Sequence, residues 1–152
     1  TKVKHQGAIT VVDVGVRAPS LSEELAKQRA EASSAGETML VMTTAGRCDP
    51  CRGVDSALAD PLLQAALAKV RLVRVDIQVF HEDLVQLEIP DEGIPGFFLL
   101  SLDLTPRDGV DGGEWDEDVP ENIAPVLDAF VHGKYAERRR PWHVVPSSGM
   151  TL

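Results

Sequence analysis

Met39-Leu-Val-Met-Thr-Thr-Ala-Gly-Arg-Cys48-Asp-Pro-Cys51-Arg-Gly-Val-Asp-Ser-Ala-Leu58 is the stretch whose reading settles the rest of the chain. An apolar, partly β-branched run, Met39 to Thr43, predicts a buried strand. Ala45 and Gly46 make a small-residue turn, and a helix carrying Val54, Leu58 and Leu62/Leu63 at helical spacing follows. Between strand and helix stands Cys48-Asp49-Pro50-Cys51, holding the only two cysteines of the 152 residues.

Two cysteines three positions apart at a helix start can close a short disulfide with little backbone movement. Cys48, at or just before the first turn, is expected near solvent, where free N–H groups and the helix dipole favour its thiolate. Cys51, one turn in and more buried, is placed to attack a mixed disulfide on Cys48. Pro50 suits a first turn, whose N–H groups have no helical partner. The charges nearby oppose one another: Arg47 and Arg52 favour the thiolate and Asp49 disfavours it.

Other uses of the pair stay open at this point. Structural zinc wants about four Cys or His ligands, against two cysteines and four scattered histidines here. A purely structural disulfide closing so small a loop stabilises little through chain entropy. A copper or other metal carrier could use two thiolates, but no Met or His lies at a useful spacing. A redox pair is the reading best matched to C-x-x-C near a βαβ pattern.

The remaining sequence bounds the setting. With 43% apolar residues, one domain with extensions can bury a real core. A formal net charge of −9 argues against nucleic acid or an anionic membrane surface as partner. No apolar run of about eighteen residues is present, so no membrane span is expected. The sequence opens at Thr1 with neither Met nor a signal-like apolar region, from which we expect a chain trimmed of a signal peptide or anchor.

In chain order, Ile9 to Val14 reads as the first strand. Ala18-Pro19-Ser20 sets up a helix with Ser20 or Ser22 as N-cap, fraying at Ser33 to Gly36. Asp60-Pro61 caps and opens a second helical stretch, Leu62 to Ala68; Val70 to Ile77 reads as a strand and His81 to Leu87 as a short helix. Then Gly93-Ile94-Pro95-Gly96 runs straight into an apolar strand, Phe97 to Leu102. Proline cannot donate to a ladder, and a cis peptide at Ile94–Pro95 accounts for it; a trans proline at a strand edge is the other reading. Thr105 to Asp118 is expected to be a solvated acidic loop containing Trp115, whose spacing fits no calcium loop. A final helix, Ile123 to Val131, is expected to start at an Asn122 cap with Pro125 in its first turn, and to end at Gly133. Arg138-Arg139-Arg140-Pro141-Trp142 begins an extension that either packs back through Trp142 or forms a mobile arm, its basic triplet reading as a solvated turn.

This order of elements resembles the thioredoxin fold over about residues 9 to 133. The segments Cys48-Asp49-Pro50-Cys51-Arg52, Leu58-Ala59-Asp60-Pro61 and Val73-Arg74-Val75-Asp76 are similar to the branch that includes the C-terminal domain of the bacterial transmembrane disulfide reductase. The resemblance implies a thioredoxin-like three-layer α/β/α sandwich with a central mixed sheet and N- and C-terminal extensions. It divides the chain into a domain, 1–133, and an extension, 134–152. It also implies thiol–disulfide exchange, with Cys48 attacking, Cys51 resolving, and Ile94 and Pro95 binding an extended substrate strand. Arg47, Asp49, Pro50 and Arg52 would modulate the pair.

The activity expected is a reductase-like thiol–disulfide oxidoreductase. It would act on protein or peptide disulfides, draw on an upstream electron donor, and use no cofactor or metal beyond the dithiol itself. A periplasmic or cell-envelope location is expected, with the cytoplasm as alternative. The competing function is a non-catalytic thioredoxin-fold binding or adaptor protein. Two departures from the family matter: Arg47 replaces the common Trp before the first Cys, and Met42 replaces the buried Asp that helps move the resolving thiol's proton. From Met42 we expect slow resolution of mixed disulfides. The segment after Leu104 also departs from the family, whose last strand is expected here to be short, near Val110.

Overall fold

The computed structural model describes residues 1–18 and 20–142. The expected part of Pro19 in opening the first helix, and the extension beyond Trp142, lie outside those residues. The chain runs β1 (Lys2–Gln6), β2 (Ile9–Asp13), α1 (Leu21–Ala35), β3 (Thr38–Thr44), α2 (Asp49–Ala57), α3 (Pro61–Ala66) and β4 (Val70–Asp76). It continues through α4 (His81–Gln86), β5 (Gly96–Leu100), β6 (Pro106–Asp111), a 3-10 turn (Gly112–Glu114) and α5 (Pro120–Val131).

One sheet of six strands, in the order β1-β2-β4-β3-β5-β6, forms the middle layer. β2, β4 and β3 are parallel, while β1, β5 and β6 pair antiparallel with their neighbours. Strand alternation sorts the side chains to two faces. Leu40, Met42, Leu72, Phe97 and Leu99 join one core with Val54, Leu58, Leu63, Leu127 and Phe130 of α2, α3 and α5. Val41, Val73, Val75, Phe98 and Leu100 join the other with Leu21, Leu25 and Leu84 of α1 and α4. The central strands are apolar on both faces because helices cover both.

Local signals place most element ends. The Ser20 hydroxyl accepts from the Glu23 N–H at 3.1 Å, capping α1, and Gly36 ends it at φ 68°. The Leu62 N–H donates to Asp60 Oδ1 at 2.9 Å, capping α3. A buried Arg71 donates to Gln28 Oε1 at 2.7 Å and to Glu37 Oε1 at 2.9 Å, tying β4 to α1 and the turn after it.

Several expectations about the edge strands and α5 are corrected. The first strand is β1, not Ile9–Val14; it forms a hairpin with β2 across Gly7, and its exposed, largely polar residues carry no apolar alternation. The segment from Thr105, expected as a loop with only a short last strand near Val110, holds a six-residue β6 (Pro106–Asp111), paired to β5 from Gly96↔Asp111 to Leu100↔Pro106. Its acids are not all solvated, since Glu114 is 5% exposed. Helix α5 starts at Pro120 with Val119 as N-cap; Asn122 instead donates from Nδ2 to the Glu117 carbonyl. Pro125 therefore falls in the second turn, where it has no N–H to return to the Glu121 carbonyl.

Beyond α5 the chain wraps the β6 edge of the sheet. Tyr135 packs on the α5-side core and Trp142 on the α1-side core. Between them Arg138 forks onto Asp108 at 2.6 and 2.8 Å and lies over the Phe130 and Tyr135 rings. The basic triplet is thus no solvated turn: Arg138 is largely buried, Arg139 pairs with Asp116 and Arg140 approaches Asp111. This strap covers an edge whose unpaired backbone groups could otherwise pair with another chain.

Candidate active site

β3 ends at Thr44, and the turn through Gly46 delivers Cys48 to the N-cap of α2. Cys48 takes an extended conformation, φ −122° and ψ 102°, and the Cys51 N–H donates to its Sγ at 3.1 Å. The two cysteines form a disulfide with their Cα atoms 5.2 Å apart. The backbone N–H that meets Cys48 Sγ is one of the helix's partnerless first-turn donors. It would stabilise negative charge on that sulfur in the reduced protein.

Burial differs from expectation. Cys48 is 5% exposed and Cys51 1%, so the first cysteine is not near solvent in this oxidised form. Both belong to the α2-side core, with half-buried Ile94 and Ala45 packed against it. Met42 is fully buried in the same core, which leaves Cys51 in apolar surroundings. The local charges are also partly spent. Arg52 pairs with Asp49 and donates to the Gly46 carbonyl at 3.3 Å, so these two largely cancel on the exposed rim. Arg47 is exposed and makes no ion pair among the described residues.

The Ile94–Pro95 loop lies at the same end of the sheet as Cys48, because Gly96 opposes Thr43 in β3. The Ile94–Pro95 peptide bond is cis. Two contacts fasten the loop: the Gly96 N–H donates to Thr43 Oγ1 at 2.9 Å, and the Gly112 N–H donates to the Pro95 carbonyl at 3.0 Å. A Cβ at Gly112 would lie 3.3 Å from Pro95 Cδ and 3.7 Å from the Trp115 ring, so glycine lets both rings approach.

Two neighbours were not read from sequence. Trp115 is buried in the same core as the cysteines, 6.0 Å from Phe97 between ring centroids, and its Nε1–H donates to Asp118 Oδ1 at 2.8 Å. Gly53 of α2 allows this loop to close in, since a Cβ there would sit 2.7 Å from Asp118 Cβ. Arg74, in register with Met42, forks onto Asp13 at 2.6 and 2.8 Å and reaches Asp55 of α2 at 2.6 Å. Burial works against the Arg74 charge, but Asp13 and Asp55 more than offset it and hold its pKa above the ordinary value. A Gly followed by a lone Trp in an acidic loop, and an Arg in an apolar strand, were the only sequence signals for these groups.

Among the described residues no cluster of three or more His, Cys, Asp or Glu is arranged to hold a metal ion. Nor, among them, is any helix long and apolar enough to cross a membrane.

The layers, the strand order and the dithiol at the end of β3 define a thioredoxin-like fold. Solved structures that share it include a disulphide isomerase from Xylella fastidiosa Temecula1, 21% identical, with a TM-score of 0.56 over 79% of this chain and 94% of that one. A thioredoxin mutant from Halobacterium salinarum is 12% identical, with a TM-score of 0.51 over 88% of this chain and 96% of that one. Thioredoxin O2 from Arabidopsis thaliana is 15% identical, with a TM-score of 0.51 over 87% and 98% respectively. No protein-family model and no curated protein matches the sequence.

Proposed function

We propose that this protein is a thiol–disulfide oxidoreductase that uses Cys48 and Cys51 to reduce disulfides in proteins or peptides. The observation that carries this reading is the disulfide across the first turn of α2, with the Cys51 N–H on Cys48 Sγ at 3.1 Å. In the reduced protein that contact and the helix terminus favour a thiolate at Cys48, which makes it the attacking sulfur.

The chemistry is two successive exchanges. The Cys48 thiolate attacks one sulfur of the substrate disulfide; a new S–S bond forms, the substrate S–S bond breaks, and the departing sulfur takes a proton. Cys51 then loses its proton and attacks Cys48 Sγ, which forms the Cys48–Cys51 bond and releases the second substrate sulfur as a thiol. Two electrons and two protons pass to the substrate, and an upstream dithiol donor returns them. Ile94 offers its backbone to an extended substrate segment beside Pro95. Arg47, Asp49, Pro50 and Arg52 modulate the pair, the exposed Asp49–Arg52 contact leaving Arg47 as the net positive neighbour. The resemblance to the C-terminal domain of the transmembrane disulfide reductase supports the reducing direction and a periplasmic or cell-envelope location.

Burial of Cys48 and the apolar residue at Met42 favour a second reading, a binding module whose cysteines do not turn over. Equilibration of the pair in glutathione and dithiothreitol buffers, alongside an insulin-reduction assay, separates the two. A potential near that of thioredoxin, about −270 mV, with insulin reduction supports the proposal. A value near about −120 mV points to disulfide formation instead. A pair that never exchanges leaves the binding module.

A further inference from the structure

The Pro95 carbonyl is fastened by a turn with little stiffness of its own. Gly112, whose N–H donates to that carbonyl at 3.0 Å, is followed by a second glycine in a 3-10 turn of three residues. Two adjacent glycines leave the backbone more freedom than other residues would. Close approach requires both. A Cβ at Gly112 would lie 3.3 Å from Pro95 Cδ, and one at Gly113 would lie 2.9 Å from Asp111 Oδ1 and 3.1 Å from Arg140 Nη2. Stiffness therefore has to come from outside the turn.

Glu114, the last residue of the turn, brings it from the strap. Its buried carboxylate takes three donors: the Tyr135 hydroxyl at 2.7 Å, the Arg139 N–H at 2.9 Å and the Arg140 N–H at 3.0 Å. A buried carboxylate is costly without such partners and holds them tightly once they are in place. Arg139 adds an ion pair to Asp116 at 2.8 Å, and the Arg138 fork on Asp108 anchors the strap to β6. On both sides of Glu114 the chain meets the site. Gly112 holds Pro95, and Trp115 lies in the core that contains Cys48 and Cys51, against which Ile94 also packs. Among the described residues neither the Ile94 N–H nor its carbonyl has a hydrogen-bond partner. Whether an incoming strand can use those two groups depends on where the loop stands, because hydrogen bonds weaken steeply with distance and angle.

We propose that Glu114 is a positioning residue for substrate binding. By tying the strap to the Gly112–Glu114 turn, it holds the Pro95 loop where Ile94 can pair with an extended polypeptide. The assignment rests on the redox reading above and divides that activity in two. Exchange at Cys48 with a small disulfide does not need Glu114, whereas capture of a polypeptide does.

The test uses the full chain, reduced, and two disulfides with the same leaving group, 5-thio-2-nitrobenzoate. One joins that thiol to the single cysteine of a short peptide; the other, 5,5′-dithiobis(2-nitrobenzoate), has no backbone to pair. The readout is the ratio of their second-order rate constants within each variant, so a general loss of activity cancels. In Glu114→Ala the ratio should fall about tenfold, the loss of one well-placed hydrogen bond to substrate, while the peptide-free rate stays within about twofold of wild type. Glu114→Gln, which keeps one acceptor oxygen, should fall in between, and it carries the test if the alanine variant does not fold. Gln28→Ala removes the acceptor of Arg71 at the other end of β4, so it reports general destabilisation and should leave the ratio unchanged. A ratio within about twofold of wild type in the Glu114 variants, or an equal fall in Gln28→Ala, overturns the positioning role. If the wild type reduces the peptide-free disulfide, that outcome leaves the redox reading standing; if it does not, the redox reading fails and the positioning role with it.

Discussion

Glu114→Gln tests the joint that holds the strap. Glu114 Oε1 accepts from the Tyr135 hydroxyl at 2.7 Å and from the Arg139 N–H at 2.9 Å, and Oε2 accepts from the Arg140 N–H at 3.0 Å. Burial pushes this carboxyl up, but the tyrosine, the two amides and the Arg138 charge outweigh it and hold the pKa below its ordinary value. Glutamine preserves the shape and one oxygen. Its amide would then set two donors against each other at Arg140 N, and the charge that strengthens the other contacts disappears. Losing a hydrogen bond to a charged group and stranding its donor costs roughly 1.5–3 kcal/mol. At roughly 2–4 °C per kcal/mol for a chain of this size, Tm should fall by roughly 3–12 °C.

A second readout isolates the contact from general destabilisation. The chain has one tyrosine, so tyrosinate absorbance in an alkaline titration reports Tyr135 alone. Burial, together with the hydrogen bond to Glu114 and its charge, pushes that phenol up to about 12. A raised folded pKa contributes stability that is present below the ordinary 10.0 and is lost as pH rises through about 12. In Glu114→Gln the midpoint should move back towards 10.0, and the alkaline loss of Tm should shrink with it. An unmoved tyrosinate midpoint, with Tm within about 1 °C of wild type, would refute the reasoning.

Three other outcomes are expected. Met42→Asp should speed resolution of mixed disulfides by giving buried Cys51 a nearby base, at a cost of roughly 2–5 kcal/mol in lost packing; turnover that is unchanged or slower counts against the account. Gly53→Ala should lower urea stability and alter Trp115 fluorescence, because its Cβ would meet Asp118 Cβ at 2.7 Å; a variant identical to wild type in both would show that the loop does not need that approach. On the acid side, burial pushes Asp108 up but Arg138, the Gly109 amide and Arg107 more than offset it, so Asp108, like Glu114, titrates below its ordinary value. Depressed carboxyls contribute stability that is present above their ordinary 3.8 and 4.5 and lost as pH falls below them. Tm should therefore drop below about pH 4.5, and less steeply in Arg138→Met; equal slopes would sink the assignment.

How far these features could be read in advance varied with how local their causes are. Ser20, Gly36 and Asp60 announced helix ends because capping is decided within a few residues. Cys48 and Cys51 announced themselves by spacing alone, as did β3 and β4 by their apolar content. Edge strands were harder. β1 has no apolar face to alternate, and β6 was masked by Pro106, Gly109 and its acids.

The sequence by itself therefore determined the dithiol, its place before α2, and the central elements that present it, since each depends on contacts between near neighbours in the chain. Only the tertiary structure decided that Cys48 is buried, that Arg74 gathers Asp13 and Asp55 beside α2, and that Glu114 anchors the strap that carries Arg138 and Trp142. Those outcomes join residues 19 to 61 positions apart. Their free energy comes from desolvation and pairing that exist only once the sheet has brought the partners together.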